Sequence, residues 1–160
     1  MGLPPTPSQT VGPFFAFALL PALSADLVAP ASEGAIRLQG QLTDGAAEPV
    51  CDGLVELWDA TTERFGRSGT EDEGRFAFTI CKPRAGAGRA PYLSVSVFAR
   101  GLLARVCTRI YFPDEPAANA ADPTLAGLTD ASTLVASADG DGLRFDICLQ
   151  GDRETVFFDV

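Results

Sequence analysis

From Ala35 onward the chain is a series of short runs in which apolar and polar residues alternate, separated by turn-forming residues. Ile36, Leu38, Gly40 and Leu42 interleave with Arg37, Gln39 and Gln41, a period of two that places the apolar set on one face of a strand. After Thr43-Asp44-Gly45, a turn, Leu54 to Asp59 predicts a second strand. Glu71-Asp72-Glu73-Gly74 predicts a strong turn, and Arg75 to Ile80 then alternates cleanly. Cys81 to Ala90 is a Gly- and Arg-rich loop ending at Pro91. The most apolar portion, Tyr92 to Phe112, breaks at Arg100-Gly101 and predicts two paired strands with a short connection. Asp114-Glu115-Pro116 should open a short helix that Asp122-Pro123 closes. Asp139-Gly140-Asp141-Gly142 reads as a hairpin turn, with strands at Leu143 to Leu149 and Glu154 to Val160.

These elements predict a mainly β protein, a β-sandwich of seven to eight strands with Greek-key-like connections, short helices and no internal repeat. The stretch Thr6 to Phe15 differs in kind. Pro7, Gly12 and Pro13 fix or free the backbone where a regular element would need uniform dihedrals, so it reads as an extended arm. Leu23 to Gly34 reads as loop. Residues 1–34 are therefore expected as arm and loop, and residues 35–160 as one sandwich domain.

Composition narrows the chemistry. Nearly half of the 160 residues are apolar, 11 of them Phe, which is enough for one sizeable core. The longest apolar stretch, Val11 to Leu23, is interrupted by Pro13 and Pro21 and is too short to span a membrane. No basic residue precedes it, the first being Arg37, so a secretory leader is not expected and the cytoplasm is the expected location. A net charge of −9 without a basic cluster argues against nucleic acid or an anionic membrane as partner. Cys51, Cys81, Cys107 and Cys148 form no Cys-x-x-Cys pair and are expected as free thiols. The chain has no histidine at all. That removes Ser-His-Asp and Cys-His catalysis, imidazole general bases and every metal set that needs imidazole.

Few residues are left to carry chemistry. Tyr92 and Ser94 share one face of a strand, the spacing of a two-ligand metal strand, but a phenol and a hydroxyl make a weak set. Arg109 lies inside the apolar run Thr108-Arg109-Ile110-Tyr111-Phe112, where a guanidinium needs a partner. Its planar fork suits a carboxylate, supplied either by a ligand or partner chain or by an acidic residue of its own domain. Glu71, Asp72 and Glu73 lack calcium-loop spacing, and Gly86-Ala87-Gly88 lacks the Lys-Ser/Thr of a phosphate loop.

Several segments in one order resemble the intradiol ring-cleaving dioxygenases. They are the arm Thr6-Pro7-Ser8-Gln9-Thr10-Val11-Gly12-Pro13-Phe14, Val55 to Ala60, Asp72 to Phe78 with Lys82-Pro83, Ala90 to Ser94, Thr108 to Glu115, and Arg144 to Ile147 with Gly151. Phe98-Ala99-Arg100-Gly101 and the closing Glu154-Thr155-Val156-Phe157-Phe158-Asp159 are similar to the non-catalytic α subunits of its two-subunit members. The family holds ferric iron with two tyrosines and two histidines. Where catalytic chains carry His-x-His this sequence has Tyr92 and Ser94, and neither ligand tyrosine has a counterpart. The resemblance thus implies no catalytic and no metal-ligating residue here, with Fe(III) held by a partner β subunit. It further implies that Thr10, Gly12, Pro13 and Phe14 line the substrate cavity and that Arg109 complements the benzoate group of protocatechuate or the polar network around it. The reaction would be O2-dependent cleavage to 3-carboxy-cis,cis-muconate. A stand-alone binding module would need an exposed aromatic platform, for which Trp58 and two tyrosines offer little. A purely structural interface subunit is the other alternative.

Overall fold

The computed structural model describes residues 4–10, 12, 18–86 and 88–159. Among these, nine strands form two sheets: β1 (Ile36–Thr43), β2 (Leu54–Asp59), β3 (Arg64–Gly69), β4 (Arg75–Ile80), β5 (Tyr92–Phe98), β6 (Val106–Tyr111), β7 (Ser137–Asp139), β8 (Gly142–Arg144) and β9 (Ile147–Cys148). One sheet runs β4-β1-β8-β7 with β9 also on β1, and the other runs β3-β2-β5-β6. The expected β-sandwich is the observed architecture. Its alternating positions bury Leu38 and Leu42 of β1, Phe76, Phe78 and Ile80 of β4, and Leu93, Val95 and Val97 of β5 in one core between the sheets. Each such side chain removed from water contributes about 1.5–3 kcal/mol, which outweighs any local preference of the segment.

The β1 edge shows how a tight approach sets the layout. Pairing along β1 passes from β8, at Leu38 and Gln39, to β9, at Leu42 and Thr43. Between them the chain swings past Gly40: the Phe145 N–H donates to the Gln39 carbonyl at 2.9 Å, and the Asp146 carboxylate accepts from the Gln41 N–H at 2.9 Å. A side-chain oxygen thus takes a ladder position that the backbone leaves vacant. A Cβ on residue 40 would run into the Phe145 carbonyl, so only glycine fits.

Four expectations change. The single strand predicted over Leu143 to Leu149 is split at Phe145-Asp146 into β8 and β9, where the chain swings past Gly40. β3 was not anticipated, because Arg64-Phe65-Gly66-Arg67-Ser68-Gly69 lacks apolar alternation; it forms because β2 offers it an antiparallel edge. The connection between β5 and β6 runs from Ala99 to Arg105, longer than expected, and leaves Leu103 64 % exposed. Glu154 to Asp159 makes only an isolated bridge, Phe158 to Cys107, instead of a strand, since Thr155 and Val156 bond to Cys148 and Thr108. The β7–β8 hairpin matches its prediction, with Gly140 at φ 58° in the first turn position. The predicted helix is present at Pro116–Ala121 and is followed at once by a second, Pro123–Ala126. Leu27 reaches the main core and its N–H bonds to the Thr79 carbonyl, tying the stretch before β1 to β4. Among the described residues no helix is long and apolar enough to cross a membrane.

Gly40→Ala is expected to lower stability by about 1–3 kcal/mol, the usual range for overpacking. Urea unfolding checks this, and a change within error would mean that Phe145 moves aside freely.

Candidate functional site

Residues paired across a sheet share a face, so the ladder registers define the outer surface of β3-β2-β5-β6. One row runs Phe65, Trp58, Ser94, Arg109, and the next runs Arg67, Glu56, Ser96, Cys107. At one end Tyr92 pairs with Tyr111. There the Pro116–Ala121 and Pro123–Ala126 helices and the turn at Ala131–Leu134 close over Tyr111 in a second small cluster with Ala90, Leu125 and Leu134.

Arg109 sits at the margin of that cluster. Its guanidinium stacks on the Tyr92 ring at 4.3 Å from the centroid, and the Phe158 ring lies at 5.2 Å. Nη1 donates to the Thr124 hydroxyl at 3.1 Å and to the Tyr111 hydroxyl at 3.3 Å. Six ion pairs occur among the described residues and Arg109 takes part in none of them. Of the two readings left open by the sequence, pairing with an acid of its own domain is not found among the described residues.

Asp122, whose carboxylate meets the same Tyr111 hydroxyl, is committed elsewhere. It is fully buried and accepts from Ala90 N–H at 3.0 Å, Thr124 N–H at 2.8 Å and Leu125 N–H at 3.4 Å, with the Tyr111 hydroxyl at 3.5 Å. Burial works against its charge, but these donors more than offset it, so its pKa lies below the ordinary carboxylate value. In the sequence Asp122 is visible only as a helix stop. In the fold it caps the next helix and pins the start of β5 beneath it.

Thr10 lies elsewhere. Its hydroxyl accepts from the Gly101 N–H at 2.9 Å and donates to the Ala99 carbonyl at 3.4 Å, anchoring the arm to the turn after β5. Between these two residues stands Arg100, its Nε 3.0 Å from the Asp52 carboxylate and its side chain 72 % exposed. Arg100 and Asp52 border a cleft of about 660 Å³. Gly12 is exposed, with open space where a side chain would stand. Pro13 and Phe14 lie outside the described residues. Arg109 pairs with Ser94, five residues along β5 from Ala99, so about 17 Å separates the arm's anchor from the stacked fork. A single-ring substrate cannot touch both within one chain.

The residues at Tyr92 and Ser94 do not fit a ferric ion. A guanidinium already lies against Tyr92, and a second cation there would be repelled. Among the described residues no group of three or more His, Cys, Asp or Glu could hold a metal.

No protein-family model matches the chain. Among solved structures, an intradiol ring-cleavage dioxygenase from Tetranychus urticae superposes with a TM-score of 0.63 at 14 % identity, over 78 % of this chain and 84 % of that one. The fold is that of the intradiol dioxygenases. The protocatechuate 3,4-dioxygenase alpha chain of Burkholderia cepacia is 38 % identical over 97 % of both chains. The beta chain of the same name and organism is 29 % identical over 75 % of this chain and 66 % of its own length. This chain belongs to the family of protocatechuate 3,4-dioxygenase alpha chains.

Because the folded pKa of Asp122 is depressed, its charge stabilises the fold above the ordinary carboxyl range and ceases to do so as pH falls through the folded value. Asp122→Ala should cost about 1–3 kcal/mol near neutrality and distinctly less at about pH 3. Urea titrations at the two pH values test this, and equal costs would exclude a role for the charge.

Proposed function

We propose that this chain is the non-catalytic α-type subunit of a protocatechuate 3,4-dioxygenase, assembling with a β-type partner to complete one site per pair. Intradiol dioxygenases are non-haem iron enzymes, and we assign the Fe(III) to the partner. The reaction of the assembly is insertion of both atoms of O2 between the hydroxyl-bearing ring carbons of protocatechuate, giving 3-carboxy-cis,cis-muconate. One observation carries the reading: Thr10 fastens a Pro- and Gly-rich arm to the turn that holds Arg100, in a chain whose own cradle position is taken by a guanidinium. Such an arm shapes a pocket that another polypeptide equips.

In this scheme Thr10, Gly12, Pro13 and Phe14 wall the substrate cavity, exclude water and orient the ring. Two arginines compete for the substrate's carboxylate. Arg109 has the stacked fork that meets no anion among the described residues, and Arg100 has the place beside the arm. We assign the carboxylate to Arg100, because it stands in the turn that Thr10 anchors, whereas Arg109 lies about 17 Å along β5 from that anchor. Its link to Asp52 is solvent-exposed and therefore weak, so a substrate carboxylate can displace it. The four unpaired cysteines support a reducing, cytoplasmic setting.

In the reconstituted αβ assembly, Arg100→Gln should raise KM for protocatechuate about tenfold or more and change KM for unsubstituted catechol little, as loss of one charged hydrogen bond implies. Arg109→Gln should leave that ratio near its wild-type value. Equal effects on both substrates from Arg100→Gln would reduce the chain to a structural subunit, and a selective effect from Arg109→Gln would return the carboxylate to Arg109. The isolated chain mixed with ferric iron should develop no visible tyrosinate charge-transfer band, and a coloured iron-bound chain would overturn the division of labour.

A further inference from the structure

Arg109 uses only part of its fork. Nη1 spends both hydrogens on Thr124 and Tyr111, while among the described residues no acceptor meets Nε or Nη2. Those two nitrogens form the side edge of the guanidinium, the edge that takes a carboxylate through two parallel bonds. They are not sealed in: the one buried side-chain polar atom without a partner among the described residues is Asn119 Oδ1. Stacking on Tyr92 and Phe158 holds the plane of the fork still, so little rotamer freedom remains to be lost on binding.

The surface beside it is shaped for a polypeptide. Ser94 and Ser96 are small and make a low floor along β5. Trp58, 40 % exposed, and Phe65, 48 % exposed, stand on the far side, two and three strand spacings or about 10 and 14 Å from Arg109. Aromatic anchors beside an arginine are the composition of a protein–protein hot spot. The floor ends at the helical cap over Tyr111 on one side and toward the anchored arm on the other.

We infer that this outer face is covered by the partner subunit of the assembly proposed above, which lays an extended segment along Ser94 and Ser96 and places an Asp or Glu carboxylate side-on against Arg109. The occupant follows from charge: among the described residues the fork meets no anion, and a second copy of a chain carrying −9 would be repelled. The inference rests on the subunit reading but concerns a different end of the sheet from the arm. Arg109 acts in docking, and Arg100 acts in substrate binding.

Trp58 is the chain's single tryptophan and lies on this face, so a fluorine label on it reports coverage directly. The full-length labelled chain is titrated with the iron-bearing β-type subunit. The resonance is expected to shift on saturation. Arg109→Gln should raise the dissociation constant at least tenfold with the unbound resonance unchanged, and Arg109→Lys, which keeps the charge but not the fork, should raise it less. Equal affinities for wild type and Arg109→Gln overturn the docking alone and leave the subunit reading standing. Absence of any binding by the wild type overturns both. A saturable shift with benzoate alone would make Arg109 a small-molecule site, and a shift with the chain's own concentration would make the face a homodimer contact; either result overturns the inference. Should Arg109→Gln fail to fold by its thermal melt, Arg109→Lys decides, and unchanged affinity in that variant counts against the proposal.

Discussion

Each strand of the β3-β2-β5-β6 sheet has to serve two faces at once, because successive side chains point to opposite sides. Leu93, Val95 and Val97 of β5 go inward to the shared core, which obliges Tyr92, Ser94 and Ser96 to point outward. The outward set therefore has its register imposed by the buried one. A slip of one residue would drive Arg109 into the core and expose Ile110. The placement of every side chain on that surface is secured by core packing worth several times any local preference.

Cover at the ends of the face follows from polar satisfaction. Asp122 gathers three backbone donors, one from the strand side at Ala90 and two from its own helix. A buried charge survives there because those donors replace water. In doing so it holds the helical cap over Tyr111 and sets Thr124 where it can receive Arg109. At the other end the arm is held by one hydroxyl that both donates and accepts, which fixes its approach to the Arg100 turn.

The chain shares the fold of the intradiol dioxygenases, and the outer face of its β3-β2-β5-β6 sheet carries its own set of side chains. A guanidinium stacked on Tyr92 supplies positive charge, and among the described residues no group of three or more His, Cys, Asp or Glu could hold a metal. Under the proposed scheme the two arginines divide the work, Arg100 near the arm toward substrate and Arg109 on the open face toward the partner. The 17 Å or so along β5 between the arm's anchor and Arg109 is the ground for the division.

Sequence alone determined the class of fold, because period-two alternation in β1, β4 and β5 is a direct imprint of burial on one face. It also determined what chemistry is impossible, since a chain without histidine cannot acquire imidazole by folding. β3 escaped it, because an edge strand with few inward apolar residues owes its existence to the neighbour it pairs with. The stacked, unneutralised state of Arg109 and the role of Asp122 escaped it as well, since Tyr92, Thr124 and Phe158 meet only through long-range pairing. The separation of Thr10 from Arg109 was decided by the tertiary structure for the same reason: distance between residues far apart in the chain is set by which strand ends they occupy.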